Sequence, residues 1–432
     1  MISRNLISKS GILIAFLIAL TIYGFSAGLK ITKQSRTPQY VYLAYSLING
    51  HMDLVAFPES KFDLINYQDK WYVPGGIGPA LILIPFVAIF GYGISDILFG
   101  VILGAINVAL IYHLLGKLKP TLSSQIGITL LFAFGTVHWW LSSVGSVWFN
   151  AHLVACLFMI LYVYSTLDDR PWLAGLCLGL AALSRPPTLF SAVFFIAYTY
   201  IHNRNIRLAL NKILPFTATF GSMIFFLLLS NYLRFGNFME FGYLYVQGTR
   251  SLTDAFSSGG GFNPSYIPCN MYVSLIGLPN LPWSPLPSVN DMCQHLEPII
   301  HDFTGLSDFF NPLGISIFLT TPAFLLIFRA GFHKPLVQSA WLGILTTITV
   351  LWMYHTTGWV QFGYRYTLDF IVFLVLLLSQ SIKRITFIEV MLIGFSILLG
   401  ATGMYLMYYM TFGIIWHEMA LEMLHKMYWI IF

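Results

Sequence analysis

Long apolar runs follow one another along this chain, at 11–29, 76–92, 97–115, 121–141, 147–167, 171–184, 187–203, 213–233, 312–329, 335–355, 366–382 and 386–410. A helix of about 20 apolar residues is long enough to cross a bilayer. Inside lipid only helices and closed barrels satisfy the backbone's own polar groups. The expected fold is therefore an all-α polytopic membrane protein. Composition agrees: 57% of the residues are apolar and 9% are charged, against roughly 25% charged in a soluble domain. Too few charges are present to cover a water-facing globule, which argues against a cytosolic enzyme. A net charge of +5, scattered along the chain, does not suggest nucleic acid as a partner.

Basic residues set the orientation of such a chain. Arg4 and Lys9 precede the first run, so the N-terminus is expected in the cytoplasm. The later clusters are Lys117 with Lys119, Arg170, Arg204 with Arg207 and Lys212, Arg329 with Lys334, and Lys383 with Arg384. All fall on the cytoplasmic side if the run 76–92 does not cross. Its approach carries Pro74, Gly75, Gly76, Gly78, Pro79 and Pro85, residues that interrupt a helix. That run therefore reads as re-entrant or surface-lying, which leaves about eleven transmembrane helices, of which 171–184 and 187–203 are short for spans. The chain is expected to be one membrane domain over 1–432. It has a first outward loop with juxtamembrane helices at 30–96, a second at 234–311, and an amphipathic C-terminal segment at 411–432.

The unusual polar residues collect on the outward side. The first loop contains Asp53 and then Asp63, which leads a stretch with Tyr67, Tyr72 and Pro74. A reaction that deprotonates an alcohol needs a positioned base, and these two carboxylates are the candidates. Each read singly is a solvated loop acid or a helix cap. Trp148 and His152 open the 147–167 run, and an imidazole one turn inside a span is expected to face packing or a polar cavity. Between Gly358 and Asp369 the chain packs Gln361, Tyr364, Arg365 and Asp369 into one outward turn. Arg365 and Asp369 are four apart, so a local ion pair is the plain reading. Arg185 sits in the turn Ser184-Arg185-Pro186-Pro187, at the outer end of two short apolar runs. A guanidinium presents a planar fork that suits phosphate. Two of them at the ends of apolar helices fit a phosphate carried on a hydrocarbon chain. Cys269 and Cys293 share one loop and can pair in an oxidising compartment.

Seven segments carry a resemblance: YLAYSLINGHMDL, DLINYQDKWYVPGGIGPALILIPFVAIFG, FGTVHWWLSSVGSVWFNAH, WLAGLCLGLAALSRPP, NYLRFGNFMEFGY, NPLGISIFLTTPAFL and GWVQFGYRYTLDF. In their order, from about residue 11 to 382, the chain resembles integral-membrane glycosyltransferases of the GT-C superfamily. The nearest likeness is to the branch of dolichyl-phosphate-mannose–protein mannosyltransferases. The resemblance implies a helix bundle with juxtamembrane helices and an enzyme of the cell membrane whose site faces away from the cytoplasm. It also implies a polyprenyl-phosphate sugar as donor. The family's usual early acid is replaced here by Ser35-Arg36-Thr37-Pro38-Gln39, and its Pro-Pro by Pro74-Gly75-Gly76. The role of base then passes to Asp63 or Asp53, with Asp63 preferred.

The expected reaction is transfer of a sugar, with inversion, to an extracytoplasmic acceptor whose identity the sequence leaves open. Arg185 and Arg365 hold the departing phosphate. His152, Trp148, Tyr67, Tyr72, Gln361, Tyr364 and Asp369 line the sugar and acceptor pocket. No cofactor is required, although a divalent cation on carboxylates is compatible with the scheme. The competing readings are a flippase or carrier of lipid-linked sugars, and an inactive relative of the same family.

Overall fold

The computed structural model describes residues 2–118, 120–203, 205–247, 259–278, 287, 289–296, 313–358 and 360–412. The C-terminal amphipathic segment expected at 411–432 lies almost wholly outside the described residues. Among these residues six helices are long and apolar enough to cross a membrane unaided: Ser10–Thr32, Asp96–Lys117, Val147–Leu167, Ile206–Phe235, Pro335–Trp352 and Phe387–Thr411. The helices Leu122–Phe134 and His138–Val144, bent by 49° at their junction, make a seventh if they are one span. The chain is a multi-pass membrane protein.

By length the spans thus number six or seven, where the sequence suggested about eleven. The difference lies in runs that do not stay helical long enough. Pro171–Ser184 has 14 residues, Ala192–Asn203 has 12 and Ile371–Ser381 has 11. Helix Ile317–Thr320 is followed by the 3-10 segment Pro322–Arg329. Prolines explain two of these breaks. Pro186-Pro187 and Pro322 lack the N–H that would continue a helix and push the preceding residue out of helical geometry. The Pro/Gly-rich run 76–92 forms the helix Gly78–Phe90 of 13 residues. At 1.5 Å per residue this is about 20 Å, short of the roughly 30 Å hydrocarbon core, as a surface-lying or re-entrant piece should be. Its end exposes Ile89 at 73% and Phe90 at 69%, apolar surface suited to lipid.

The interior of the bundle is formed by Asp96–Lys117, Val147–Leu167 and Ile371–Ser381, which bury most of their side chains. Around them the Ile206–Phe235 and Phe387–Phe412 helices leave Leu214, Phe225, Phe387 and Leu398 exposed, a face for acyl chains. Pro171–Ser184 lies between Val147–Leu167 and Ile206–Phe235. Gly175 and Gly179 let it approach closely, because a Cβ at either would overlap Phe216 and Thr219 or Met223, the small-residue contact common between membrane helices.

The basic clusters assigned to one side of the membrane find partners at helix ends. Lys117 pairs with Asp168, Lys212 with Asp169 at 2.7 Å, and Lys334 donates to Gln380 at 3.0 Å. Glu389, in the first turn of its helix, pairs with Arg329 at 2.8 Å and accepts from the Thr386 N–H at 3.0 Å. Both contacts are those of a helix-terminal acid rather than of a step in a path through the membrane.

The first loop, at 30–96, adds a feature the sequence did not suggest: a small antiparallel sheet in the order β2-β1-β3. Strand β1 is Leu64–Tyr67, β2 is Lys70–Tyr72 and β3, from beyond the long helix, is Val246–Gln247. Gln68 and Asp69 both have positive φ, the geometry a two-residue hairpin turn requires. In the second loop Cys269 and Cys293 form a disulfide, with their Cα atoms 5.0 Å apart.

Candidate functional site

The helix Val147–Leu167 presents Trp148 and His152 one turn apart, on the same face. Trp148 Nε1 donates to Asp63 Oδ2 at 2.9 Å, across 85 residues of chain. Asp63 precedes β1 and is tied to β3 by its own N–H, which donates to the Gln247 carbonyl at 2.8 Å. Its φ of 64° lies in the left-handed region, which Asp tolerates better than most residues and which often marks a functional position. Burial raises the Asp63 carboxyl above the usual carboxylate range, while the Trp148 hydrogen bond and the nearby Arg365 and Arg36 guanidiniums draw it back.

One turn further in, His152 Nδ1 donates to Asp369 Oδ1 at 3.0 Å. Both side chains are wholly buried. With Nδ1 so engaged, Nε2 carries the lone pair in the neutral ring. Asp369 also receives Arg185, through Nε at 3.3 Å to each oxygen and Nη2 at 2.9 Å. The expected local pair of Arg365 with Asp369 is therefore corrected: the partner of Asp369 is Arg185. The reason is the local backbone, since Arg365–Asp369 winds as a 3-10 helix, with three residues per turn, so that residues four apart no longer share a face.

The two arginines nonetheless lie against one aromatic ring. Arg185 Cζ stands 5.0 Å and Arg365 Cζ 5.5 Å from the centroid of the Tyr366 ring. The same ring lies against His152, Tyr354 and Tyr364 at 5.8, 6.2 and 5.4 Å. Residues from four separate parts of the sequence are thus brought to one place: the first loop, the Val147–Leu167 helix, the Arg185 turn and the 361–369 segment.

Other candidates take different places. Asp53 is held by Lys70 at 3.7 Å and His51 at 3.6 Å at the edge of the small sheet. Tyr67 and Tyr72 pack edge-on against Phe235, at 5.6 and 5.3 Å, and fasten the hairpin to the long helix. Gln361 donates to the carbonyls of Leu313 and Thr357, each at 2.9 Å, and accepts from the Arg365 N–H at 3.0 Å. It shapes the turn that carries Arg365. Tyr364 is fully buried against Tyr366.

Sequence reasoning passed over Tyr366, Tyr243 and Tyr354. Tyr243 stacks edge-on with Tyr354 at 6.3 Å. Tyrosine is so frequent in this chain, with 24 copies, that no single one stands out before folding. Among the described residues no group of three or more His, Cys, Asp or Glu is arranged to hold a metal ion.

No family model matches this chain, and no curated protein matches it. Among solved structures the chain is similar to ArnT from Cupriavidus metallidurans bound to undecaprenyl phosphate, with 10% sequence identity and a TM-score of 0.42. The match covers 88% of this chain and 61% of that one, so the chain spans less than two thirds of that protein's length.

Proposed function

We propose that this protein is a GT-C-type glycosyltransferase that moves a sugar from a polyprenyl-phosphate donor to an extracytoplasmic acceptor hydroxyl. The single observation that carries the reading is that Arg185 and Arg365 both lie against the Tyr366 ring, which also touches His152, one helical turn from the Trp148 that holds Asp63. Cations at the ends of apolar helices suit an anion whose tail lies in lipid. A carboxylate kept more basic than usual by burial suits proton removal near neutral pH.

In the reaction, Asp63 takes the proton of the acceptor hydroxyl as its oxygen attacks the anomeric carbon. The bond from that carbon to the phosphate oxygen breaks with its electron pair, and the polyprenyl phosphate leaves as an anion. Arg365 and Arg185 stabilise the charge that develops on it, in a setting poor in water where fixed cations act strongly. Asp369 and His152 hold the Arg185 fork in place. One displacement of this kind inverts the anomeric centre. The disulfide in the second loop supports a site on an oxidising, extracytoplasmic face.

The test is to incubate the purified full-length protein with radiolabelled polyprenyl-phosphate sugars and a panel of hydroxyl acceptors, without nucleotide. Transfer that is lost in Arg365→Lys, which keeps the charge but loses the fork, is the expected result. Movement of the labelled lipid across a vesicle membrane with no transfer would replace this reading with a carrier.

A further inference from the structure

The segment NYLRFGNFMEFGY closes the Ile206–Phe235 helix, and its chemistry is not absorbed by the site described above. Arg234 within it is 4% exposed. Burying a guanidinium is costly unless its donors are satisfied, and the described partners of this one are neutral. Nε donates to the Ser230 carbonyl at 3.2 Å and Nη2 to Asn231 Oδ1 at 2.7 Å. Nη1 donates to two carbonyls of the first loop, Val73 at 3.1 Å and Gly75 at 3.2 Å. The last turn of a helix is the end where its dipole favours a cation, which offsets part of the burial cost. The rest of the segment fixes this helix end. Gly236 adopts the left-handed cap with its N–H on the Tyr232 carbonyl, Asn231 Nδ2 donates to the Phe238 carbonyl at 3.1 Å, and Glu240 accepts from the Gly242 N–H at 2.6 Å.

What Arg234 holds is next to the arginine turn. Gly75 has φ of 78°, and the hydroxyls of Tyr40 and Tyr243 lie at its open side. Gly76 and Gly78 have no room for a Cβ, because the Leu183 carbonyl occupies that space at Gly76, and the Ser184 hydroxyl and backbone N–H do so at Gly78. Ser184 is the last residue before Arg185. The carbonyls of Val73 and Gly75 belong to buried residues and need donors, which Arg234 supplies from a helix of the bundle.

We propose that Arg234 is a positioning residue: through the Val73 and Gly75 carbonyls it seats residues 74–78 against Leu183–Ser184 and thereby fixes where Arg185 stands. This rests on the reading of Arg185 as a phosphate ligand, but the seating itself is testable without it. Full-length wild type, Arg234→Lys and Asn231→Ala are compared in lipid nanodiscs by hydrogen–deuterium exchange, melting temperature and binding of undecaprenyl phosphate. Lysine keeps the charge and loses the fork that spans several acceptors; Asn231→Ala removes the acceptor of Nη2 and the Asn231 bond to the Phe238 carbonyl, and leaves both Nη1 bonds to the first loop.

The expected result for Arg234→Lys is faster exchange confined to residues 73–78 and 183–188, with phosphate-lipid binding weakened about tenfold, or 1.4 kcal/mol. Asn231→Ala shifts both readouts in the same direction and by less, and it serves as the measurement if Arg234→Lys does not fold. Wild-type exchange in both segments, or faster exchange spread over the whole bundle with unchanged affinity of the folded protein, overturns the proposal. If wild type binds no undecaprenyl phosphate, the donor reading fails, and the exchange pattern alone decides the role of Arg234.

Discussion

Arg185 and Asp369, 184 residues apart in the chain, form an ion pair through two guanidinium nitrogens in which the carboxylate is wholly buried and the guanidinium nearly so, and His152 bonds to the same carboxylate. A buried pair of this kind contributes little by itself but is costly to break, because removing one partner leaves the other charged and unsolvated. Asp369→Asn is expected to destabilise the protein by about 3–5 kcal/mol. The double variant Arg185→Met with Asp369→Leu should lose less than the two single changes together, a coupling that thermal melts in one detergent will show. Additive losses would mean that the two side chains do not act as a pair.

Asp63 offers a test in which activity and stability separate. Its carboxyl is raised by burial, so the unfolded chain releases that proton at lower pH than the folded protein. Ionised Asp63 then opposes folding, and the penalty grows as pH rises from the ordinary carboxylate value through the folded one. Asp63→Asn is expected to cut transfer by about 10²–10⁴-fold, yet to melt at or above the wild-type temperature at neutral pH.

The same shift fixes a pH profile. Transfer by wild type should fall as pH drops through the raised Asp63 value, since the protonated acid cannot act as base. Trp148→Phe removes a hydrogen bond that favours the carboxylate and should move this acidic limb to higher pH. A limb that stays in place in Trp148→Phe would remove Asp63 from the base role.

Gly76 tests the contact between the first loop and the arginine turn. Gly76→Ala places a Cβ on the Leu183 carbonyl and is expected to cost about 1–3 kcal/mol as overpacking. Gly221 lies within the Ile206–Phe235 helix with open space where a Cβ would go. Gly221→Ala should be neutral or stabilising by up to about 1 kcal/mol. Equal melting temperatures for the two variants would show that the close approach is absent.

The disulfide closes 24 residues, for which chain-entropy reasoning gives about 3 kcal/mol. Cys293→Ser should lower stability by roughly that amount and release one thiol that reacts with maleimide after denaturation. Cys156 and Cys177 are buried, so intact native wild type should not label.

Much of this protein is readable before it folds. The apolar runs dictate a helical membrane protein, because a hydrocarbon surrounding admits little else. The prolines and glycines around 74–85 already mark a helix too short to cross, and the spacing of Trp148 and His152 places both on one helical face. Arg185, Arg365 and Asp63 stand out as charges in an otherwise apolar sequence. Local pattern has a limited reach, however. Four-residue spacing suggests Arg365 as the partner of Asp369, whereas the chain brings in Arg185 from another helix end. The role of Arg234 depends on carbonyls 159 and 161 residues away, and backbone carbonyls carry no mark in a sequence. Sequence by itself determined that apolar helices build this protein, since that depends on each segment's own transfer free energy, whereas how many of the runs stay helical long enough to cross did not follow from it. Which charges face one another was decided by packing alone, since a buried ion pair needs both partners within a few ångströms and chain order does not encode that distance.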